Sequence, residues 1–293
     1  MGSPCTIQLY CTDQQQAQKI ADQVIGDVYR LEQRYSRYKS DSILSEINHH
    51  AANGKSIEVD EETASLLNYA VTCYEQSDGL FDITSGVLRK AWKFNQDTPT
   101  LANPKYIEKA LKKIGWDKVK WANSKLSFSC TGMELDFGGI VKEYATDRAA
   151  GIAMQLGVKH GLINLGGDIK VIGSHPDGSA WQVGIQHPKN VDDIISAIGL
   201  IGGGMATSGD YQRCVLIDGK RYGHILNPKT GWPVQHFSSV TVVSEFCVLA
   251  GSASTIAMLK EAEGAAWLSS LNLAHQWIDQ EGNVGGTITP LEK

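Results

Sequence analysis

The stretch at residues 134–149, ELDFGGIVKEYATDRA, places a Gly-Gly pair and a lysine among several acidic residues. Leu135 and Phe137 alternate with Asp136, which predicts a strand that ends in a glycine turn and leads into a helix. Gly138 and Gly139 would let the backbone approach a ligand closely, and the amides at the start of the helix could bind an anion. Two interpretations follow: an ordinary strand, turn and helix, or a turn that holds a charged ligand.

Lys142 lies in the first turn of this predicted helix, where the helix dipole disfavours a positive charge. A bound phosphate or a nearby carboxylate would explain the lysine at this position. A solvated side chain is the alternative, because lysines are common on exposed helix surfaces.

The composition is typical of an ordinary globular protein, with 42% apolar and 20% charged residues in a chain of 293. The net charge of -5 and the lack of a lysine or arginine block disfavour a nucleic-acid partner. No apolar run approaches the roughly 20 residues of a membrane span.

We expect one domain over residues 1–293, with two intertwined subdomains as the alternative. The six scattered cysteines lack a C-x-x-C pair, so we expect most of them to be buried small hydrophobes in a reducing compartment.

The hydrophobic patterns alternate between helical and strand periods without a regular βαβ repeat. They predict a first strand in 4–11, a helix ending near residue 31 and a capped helix over 60–75. A hairpin is expected around Gly166-Gly167-Asp168, and helices near 249–260 and 262–271 precede a final strand pair. Neither G-x-G-x-x-G nor a P-loop occurs. The sequence therefore predicts an α+β fold with mixed or antiparallel sheets and packed helices.

Polar clusters follow several predicted strands: DGLFDIT (78–84), DFGGIVKEY (136–144), NLGGD (164–168), ATSGDY (206–211) and GHILNPKTGWP (223–233). Each one taken alone is explained by a turn, because glycine and aspartate are frequent there. His224 stands just before a turn rich in proline and glycine, where it could serve as a general base. A surface histidine or a satisfied core histidine is an equally good interpretation.

Together with MGSP (1–4), SRYKSDS (36–42) and LAGSAST (249–255), these clusters occur in one order over nearly the whole chain. In this respect the chain resembles the ApbE-type FAD:protein FMN transferases. The resemblance implies an ApbE-like flavin transferase fold and an enzyme that transfers a phosphorus-containing group. Such an enzyme uses Mg²⁺ to move FMN from FAD onto a Thr or Ser hydroxyl of a partner flavoprotein, and it releases AMP.

The resemblance also implies roles for particular residues. His224 would be the general base, and the Mg²⁺ site would use the backbone carbonyl of Gly139, the hydroxyl of Thr255 and the residue at position 251. The expected FAD contacts are Met1, Tyr38, Leu80, Phe81, Asp82, Asp136, Lys142 and Ile225.

One position departs from the family pattern. Gly251 stands where the family usually has a metal-binding aspartate, and glycine has no side-chain oxygen. Ser252 or a carboxylate such as Glu245 could replace it, and Glu143, where glycine is frequent in the family, adds a negative charge nearby. A degraded metal site suggests two alternative functions, an FAD-binding protein or a slow FAD pyrophosphatase.

The flavin acceptor is expected to be a separate protein. The acceptor motif of the family has the form D/S-G-x-T/S-T/S, and the segments DGLFD and DGSAW of this chain lack the required hydroxyls. The N-terminus shows no basic region followed by a long apolar core, so we expect a cytoplasmic chain as given. A periplasmic or lipid-anchored protein is the alternative if a signal has been removed.

Overall fold

The computed structural model describes residues 3–94, 100–188, 190, 193–211 and 213–288. Its helices are α1 (Gln14–Tyr35), α2 (Ile43–Ala52), α3 (Glu61–Gln76), α4 (Pro104–Leu111), α5 (Val141–Gln155), α6 (Cys247–Lys260) and α7 (Gly264–Ser270). The first strands are β1 (Cys5–Leu9), β2 (Ile57–Glu58), β3 (Val119–Ala122), β4 (Lys125–Phe128), β5 (Gly161–Leu165), β6 (Asp168–Ile172) and β7 (Trp181–Gln186). The later strands are β8 (Ile194–Leu200), β9 (Gly203–Gly209), β10 (Cys214–Ile217), β11 (Lys220–Gly223), β12 (Phe237–Ser244), β13 (Ala274–Asp279) and β14 (Val284–Gly286).

A seven-stranded sheet forms the centre of the fold, in the order β1-β5-β6-β9-β12-β13-β14. Every neighbouring pair in it is antiparallel. Side chains alternate along β6: Ile169 and Val171 pack with Trp181 of the β7–β8 hairpin, whereas Lys170 lies 3.6 Å from Asp147 of α5. The sheet is therefore covered by α5 and α6 on one face and by the hairpin on the other. The predicted α+β class is confirmed.

Several local predictions are confirmed at their caps and turns. The Asp60 carboxylate accepts a hydrogen bond from the Thr63 amide at 2.9 Å and begins α3. The Ser42 hydroxyl caps α2 in the same way, accepting from the Ser45 amide at 3.0 Å. The β5–β6 hairpin turns through Gly166 and Gly167, whose φ angles are 64° and 96°, a conformation that glycine adopts at little cost.

The segment before the glycine pair differs from the prediction. Leu135 and Phe137 are buried as expected, but the segment forms a single bridge between Glu134 and Ser85 instead of a sheet strand. The Asp136 amide donates to the Ile83 carbonyl at 2.8 Å. An alternating pattern is common to any extended segment buried on one side, which is why it could not distinguish a strand from this extended segment.

The prediction that most cysteines are buried was also wrong. Only Cys73 and Cys247 are buried, Cys5 is exposed on the edge strand β1, and the other three are partly exposed. All six are described by the structure and are free thiols.

Helix α6 is buried on nearly all sides, which is why its sequence is apolar or small throughout. Its 14 residues are fewer than a bilayer requires. In the part of the chain that the structure describes, no helix has both the length and the apolar character of a membrane span.

The start of α6 is capped from another helix. Its N-cap residue, Phe246, has no side chain that could cap it. Both carboxylate oxygens of Asp147 on α5 instead accept hydrogen bonds at 2.9 Å, one from the Cys247 amide and one from the Val248 amide. These are amides of the first turn, which no intrahelical carbonyl can satisfy.

We expect Asp147→Ala to lower the free energy of unfolding by about 1–2 kcal/mol, because two amides at the start of α6 lose their acceptor. The measurement is urea unfolding followed by circular dichroism. The matched control is Asp22→Ala on the exposed side of α1, which should change stability by no more than about 0.5 kcal/mol. Equal stability of the two variants would contradict the capping role.

Candidate active site

The glycine pair lies against the turn that contains Leu80, Phe81 and Asp82. A Cβ atom added to Gly139 would meet the Phe81 ring at 3.2 Å, so only glycine allows this close approach without displacing the ring. Asp82 is buried, and its Oδ1 accepts from the Thr84 amide at 2.8 Å and from the Thr84 hydroxyl at 2.7 Å. Burial raises the pKa of Asp82, and these hydrogen bonds oppose the shift. The two polar clusters at 78–84 and 136–144 thus form one surface.

Lys142 is paired with a buried carboxylate from a third cluster. Its ammonium group forms an ion pair with Asp168, the first residue of β6, and lies 3.9 Å from Glu143. Burial lowers the pKa of Lys142, but the charges of Glu143 and Asp168 outweigh this and raise it. Its position in the first turn of α5 is therefore explained by a nearby carboxylate, one of the expected alternatives.

The N-terminal segment reaches the same place. The Gly166 amide donates to the Pro4 carbonyl at 3.0 Å, and a Cβ atom on Gly166 would lie 2.8 Å from that of Ser3 and 3.8 Å from Lys142. Met1 itself lies outside the described residues. The chain start and the β5–β6 turn thus meet beside the Lys142 ammonium group.

Glu143 is a buried carboxylate without full compensation. Its side chain is 9% exposed, and its Oε2 atom has no hydrogen-bond partner among the residues that the structure describes. Burial and then the negative charge of Asp168 raise the pKa of Glu143. Two carboxylates and one lysine therefore share this buried location.

Asp136 forms the other side of the surface. One of its carboxylate oxygens pairs with Arg37, and the other accepts from the Gly138 amide at 2.9 Å. Arg37 also donates to the Tyr38 hydroxyl at 3.0 Å, and its guanidinium carbon lies 5.1 Å from the centre of that ring. Tyr38 is 75% exposed, so its ring is available to a ligand.

His224 follows β11 and is held next to positive charge. The pKa of His224 is lowered, first because neighbouring groups displace water from around the ring. The charges of Arg213, Arg37 and Lys142 lower it further. Solvent still reaches the ring, because the side chain is exposed. Since every one of these charges opposes protonation, the imidazole is neutral at pH 7 whether the shift is large or small. Ile225 is partly buried, and its carbonyl accepts from the Val234 amide at 3.1 Å.

The residues at positions 251 and 255 lie on one face of α6, four residues apart. Gly251 is buried and faces Glu143. The Thr255 hydroxyl is 2.9 Å from the Ser208 hydroxyl of β9, part of the ATSGDY cluster. Within the described ranges, no group of three or more His, Cys, Asp or Glu side chains could hold a metal ion. A cation here would need main-chain, hydroxyl or ligand oxygens as well.

Direct contacts and electrostatic interactions thus connect most of the residues predicted from the sequence. Arg213, which follows the ATSGDY cluster, was not singled out in advance, and neither were Arg37 and Asp168. The latter two lie inside motifs that were noted, SRYKSDS and NLGGD, but their importance rests on ion pairs with Asp136 and Lys142 that no local pattern encodes.

Comparison with known proteins gives a consistent result. The model of the ApbE family matches residues 1–277. The chain belongs to the ApbE family. A FAD:protein FMN transferase of Haemophilus influenzae is 29% identical over 248 residues, which cover 82% of this chain and 72% of that relative. Another, of Salmonella typhimurium, is 32% identical over 77% of this chain, which spans 65% of that relative's length.

Solved structures of ApbE proteins superimpose on this chain. The ApbE protein of Thermotoga maritima superimposes with a TM-score of 0.87 at 30% identity and covers 96% of this chain and 93% of its own. The flavinyl transferase ApbE of Pseudomonas stutzeri, in its apo form, gives a TM-score of 0.86 at 27% identity, covering 98% and 92%. The ApbE-like fold expected from the sequence is confirmed by these superpositions.

We expect NMR titration of the His224 ring to give a pKa below the usual value of about 6.5. The matched variant Arg213→Gln should raise this pKa, because one of the opposing charges is removed. A folded-state pKa below the unfolded one also means that the unfolded chain binds the proton first as pH falls. Acidification below about pH 6.5 should therefore destabilise the wild type more than His224→Gln. A ring pKa at or above the usual value would contradict the electrostatic environment described.

Proposed function

We propose that this chain is an FAD:protein FMN transferase that moves FMN from FAD onto a Thr or Ser hydroxyl of a separate flavoprotein. Membership in the ApbE family over residues 1–277 supports the reaction class. The observation that carries the proposal for this chain is a neutral histidine, His224, within electrostatic range of Arg37, Arg213 and Lys142. The cations suit the negatively charged phosphates of FAD, and the neutral imidazole suits an acceptor hydroxyl that must lose its proton.

In the proposed reaction, the acceptor oxygen attacks the phosphorus of the FMN half of FAD. A new P–O bond forms to the acceptor, the bond to the AMP phosphate breaks, and AMP leaves. His224 takes the proton of the attacking hydroxyl, which a neutral imidazole can do at pH 7. Lys142 and Arg37 provide positive charge where the phosphate oxygens gain negative charge in the transition state.

The FAD contacts are part of the proposal. Tyr38 offers an exposed ring, and Asp136 offers a carboxylate that the Gly138 amide and Arg37 hold in place. The turn at 80–82 lies beside them, because its Phe81 ring packs under Gly139. We also propose Met1 and Ile225 as contacts, on the strength of the family motifs alone.

The proposed reaction also uses Mg²⁺. When bound, it would neutralise negative charge on the two phosphates of FAD. The Gly139 carbonyl and the Thr255 hydroxyl are the proposed ligands from the family pattern. They are neutral oxygens, and Mg²⁺ in proteins normally also takes one or two carboxylates.

A second candidate function is favoured by Gly251, which lacks the usual carboxylate. A chain with a weakened metal site would bind FAD without transferring FMN, or would slowly hydrolyse it to FMN and AMP with water as the acceptor. Chromatography of FAD incubated with the protein and Mg²⁺, without acceptor, distinguishes these cases. Free FMN would support hydrolysis, and unchanged FAD would argue against it.

We expect wild-type protein with FAD and Mg²⁺ to add the mass of FMN to a flavoprotein that carries a D/S-G-x-T/S-T/S motif. In His224→Ala this transfer should fall by about 100-fold or more, because a general base contributes roughly that factor. Binding of FAD, followed by flavin fluorescence, should change little. The readout is intact mass spectrometry of the acceptor over time.

The matched control is His236→Ala, which removes an exposed histidine from a nearby loop and should leave transfer unchanged. Normal transfer by His224→Ala would exclude the histidine as the base. No adduct at any Mg²⁺ concentration, with a proven acceptor, would defeat the proposed function as a whole.

A further inference from the structure

The space beside Gly251 is occupied by another side chain. A Cβ atom added to Gly251 would lie 2.4 Å from Cγ of Glu143, 3.0 Å from its Cδ and 3.1 Å from its Oε1. Carbon atoms cannot approach each other so closely, so no side chain fits at 251 while Glu143 keeps this position. The Glu143 carboxyl group therefore occupies the place that a residue-251 side chain would take.

This carboxyl group has the properties of a cation ligand. It is almost fully buried, and its Oε2 atom has no hydrogen-bond partner within the described part of the chain. Burying an unpaired carboxyl oxygen costs free energy, and such a cost is normally offset by protonation, a hydrogen bond or a cation. Lys142, the nearest cation, is 3.9 Å from the other oxygen and is already paired with Asp168.

The two replacements considered from the sequence, Ser252 and Glu245, are not placed to bind a cation beside position 251. The Ser252 hydroxyl lies 2.6 Å from the Tyr69 hydroxyl and donates to the Val248 carbonyl at 2.9 Å. Adjacent residues of a helix point about 100° apart, so Ser252 does not share the face of position 251. Glu245 precedes α6 and is exposed. Glu143 is the carboxylate that contacts position 251.

We propose that Glu143 supplies the metal-binding carboxylate that Gly251 lacks. The ligand has moved from α6 to the facing helix α5, and Gly251 is required because it leaves room for Glu143. The cation would be held by Glu143, the Thr255 hydroxyl and the Gly139 carbonyl together with the phosphates of FAD. This inference rests on the proposed function for the FAD phosphates. The roles of Glu143 and Gly251 can nevertheless be tested by measuring metal binding, without measuring flavin transfer.

A donor set of this kind suits a hard divalent cation. Mg²⁺ binds through one or two carboxylates, other oxygens and substrate phosphates, and it does not need three acidic side chains. This agrees with the absence of any three-residue His, Cys, Asp or Glu group among the residues described. Asp168 remains engaged with Lys142 and keeps that ammonium group beside the site.

The test is Mn²⁺ binding, measured by electron paramagnetic resonance of free Mn²⁺ in full-length protein saturated with FAD. Glu143→Gln should weaken Mn²⁺ binding by about tenfold or more, since even loss of a group that only supports a ligand costs that much. The double variant Glu143→Gly with Gly251→Asp, which returns the carboxylate to α6, should bind Mn²⁺ within a few-fold of wild type. Gly251→Asp alone should unfold at a lower temperature, because its Cβ atom overlaps Glu143.

The matched control is Glu134→Gln, which removes another buried carboxylate, one paired with Arg89 and Lys90. Its Mn²⁺ affinity should equal that of wild type, and thermal unfolding of every variant verifies folding. Unchanged Mn²⁺ binding by folded Glu143→Gln, or no Mn²⁺ binding by FAD-loaded wild type, would overturn the proposal.

Metal binding and flavin transfer separate the two proposals. A wild type that binds Mn²⁺ through Glu143 but never labels an acceptor would refute the transferase function. It would leave the proposed role of Glu143 as the metal-binding carboxylate intact. A wild type that labels the acceptor, together with a Glu143→Gln variant that retains full Mn²⁺ affinity, would refute only the proposed role of Glu143.

Discussion

The close contact between α5 and α6 is the constraint on which the rest of the site depends. Most of helix α6 is buried, and the amides of its first turn have no intrahelical acceptor. The Asp147 carboxylate satisfies two of them from α5 and thereby joins the start of α6 to that helix. In this alignment Gly251 faces Glu143, and the Thr255 hydroxyl lies one turn further along the same face.

The electrostatics of the site follow from this packing. Lys142 shares its surroundings with two carboxyl groups, Asp168 and Glu143, in a place that water hardly reaches, and the pKa of Glu143 is raised there. Removing one member of such a group would leave another buried and uncompensated. The opposite balance holds at His224, where Arg37, Arg213 and Lys142 disfavour protonation. One region therefore suits a cation, and the other suits a neutral base.

Much of the fold could be predicted because its determinants are local. The Asp60 cap, the glycines of the β5–β6 hairpin and the helical period of α1 each act within a few residues. The segment at 134–137 was misassigned because an alternating pattern reports burial on one side and not the partner that supplies the hydrogen bonds. The burial of Cys5 was misjudged for a related reason, since it depends on β1 lying at the edge of the central sheet.

Sequence by itself determined the α+β class, the family and the motifs that carry the proposed chemistry, because these depend on residue type and order. It also revealed that position 251 has no carboxylate. Only the tertiary structure decided what fills that place, because Glu143 and Gly251 meet through the packing of helices whose tethering contact spans 101 residues of chain. A glycine that looked like a loss in the sequence is, in three dimensions, the space that a carboxylate from the neighbouring helix requires.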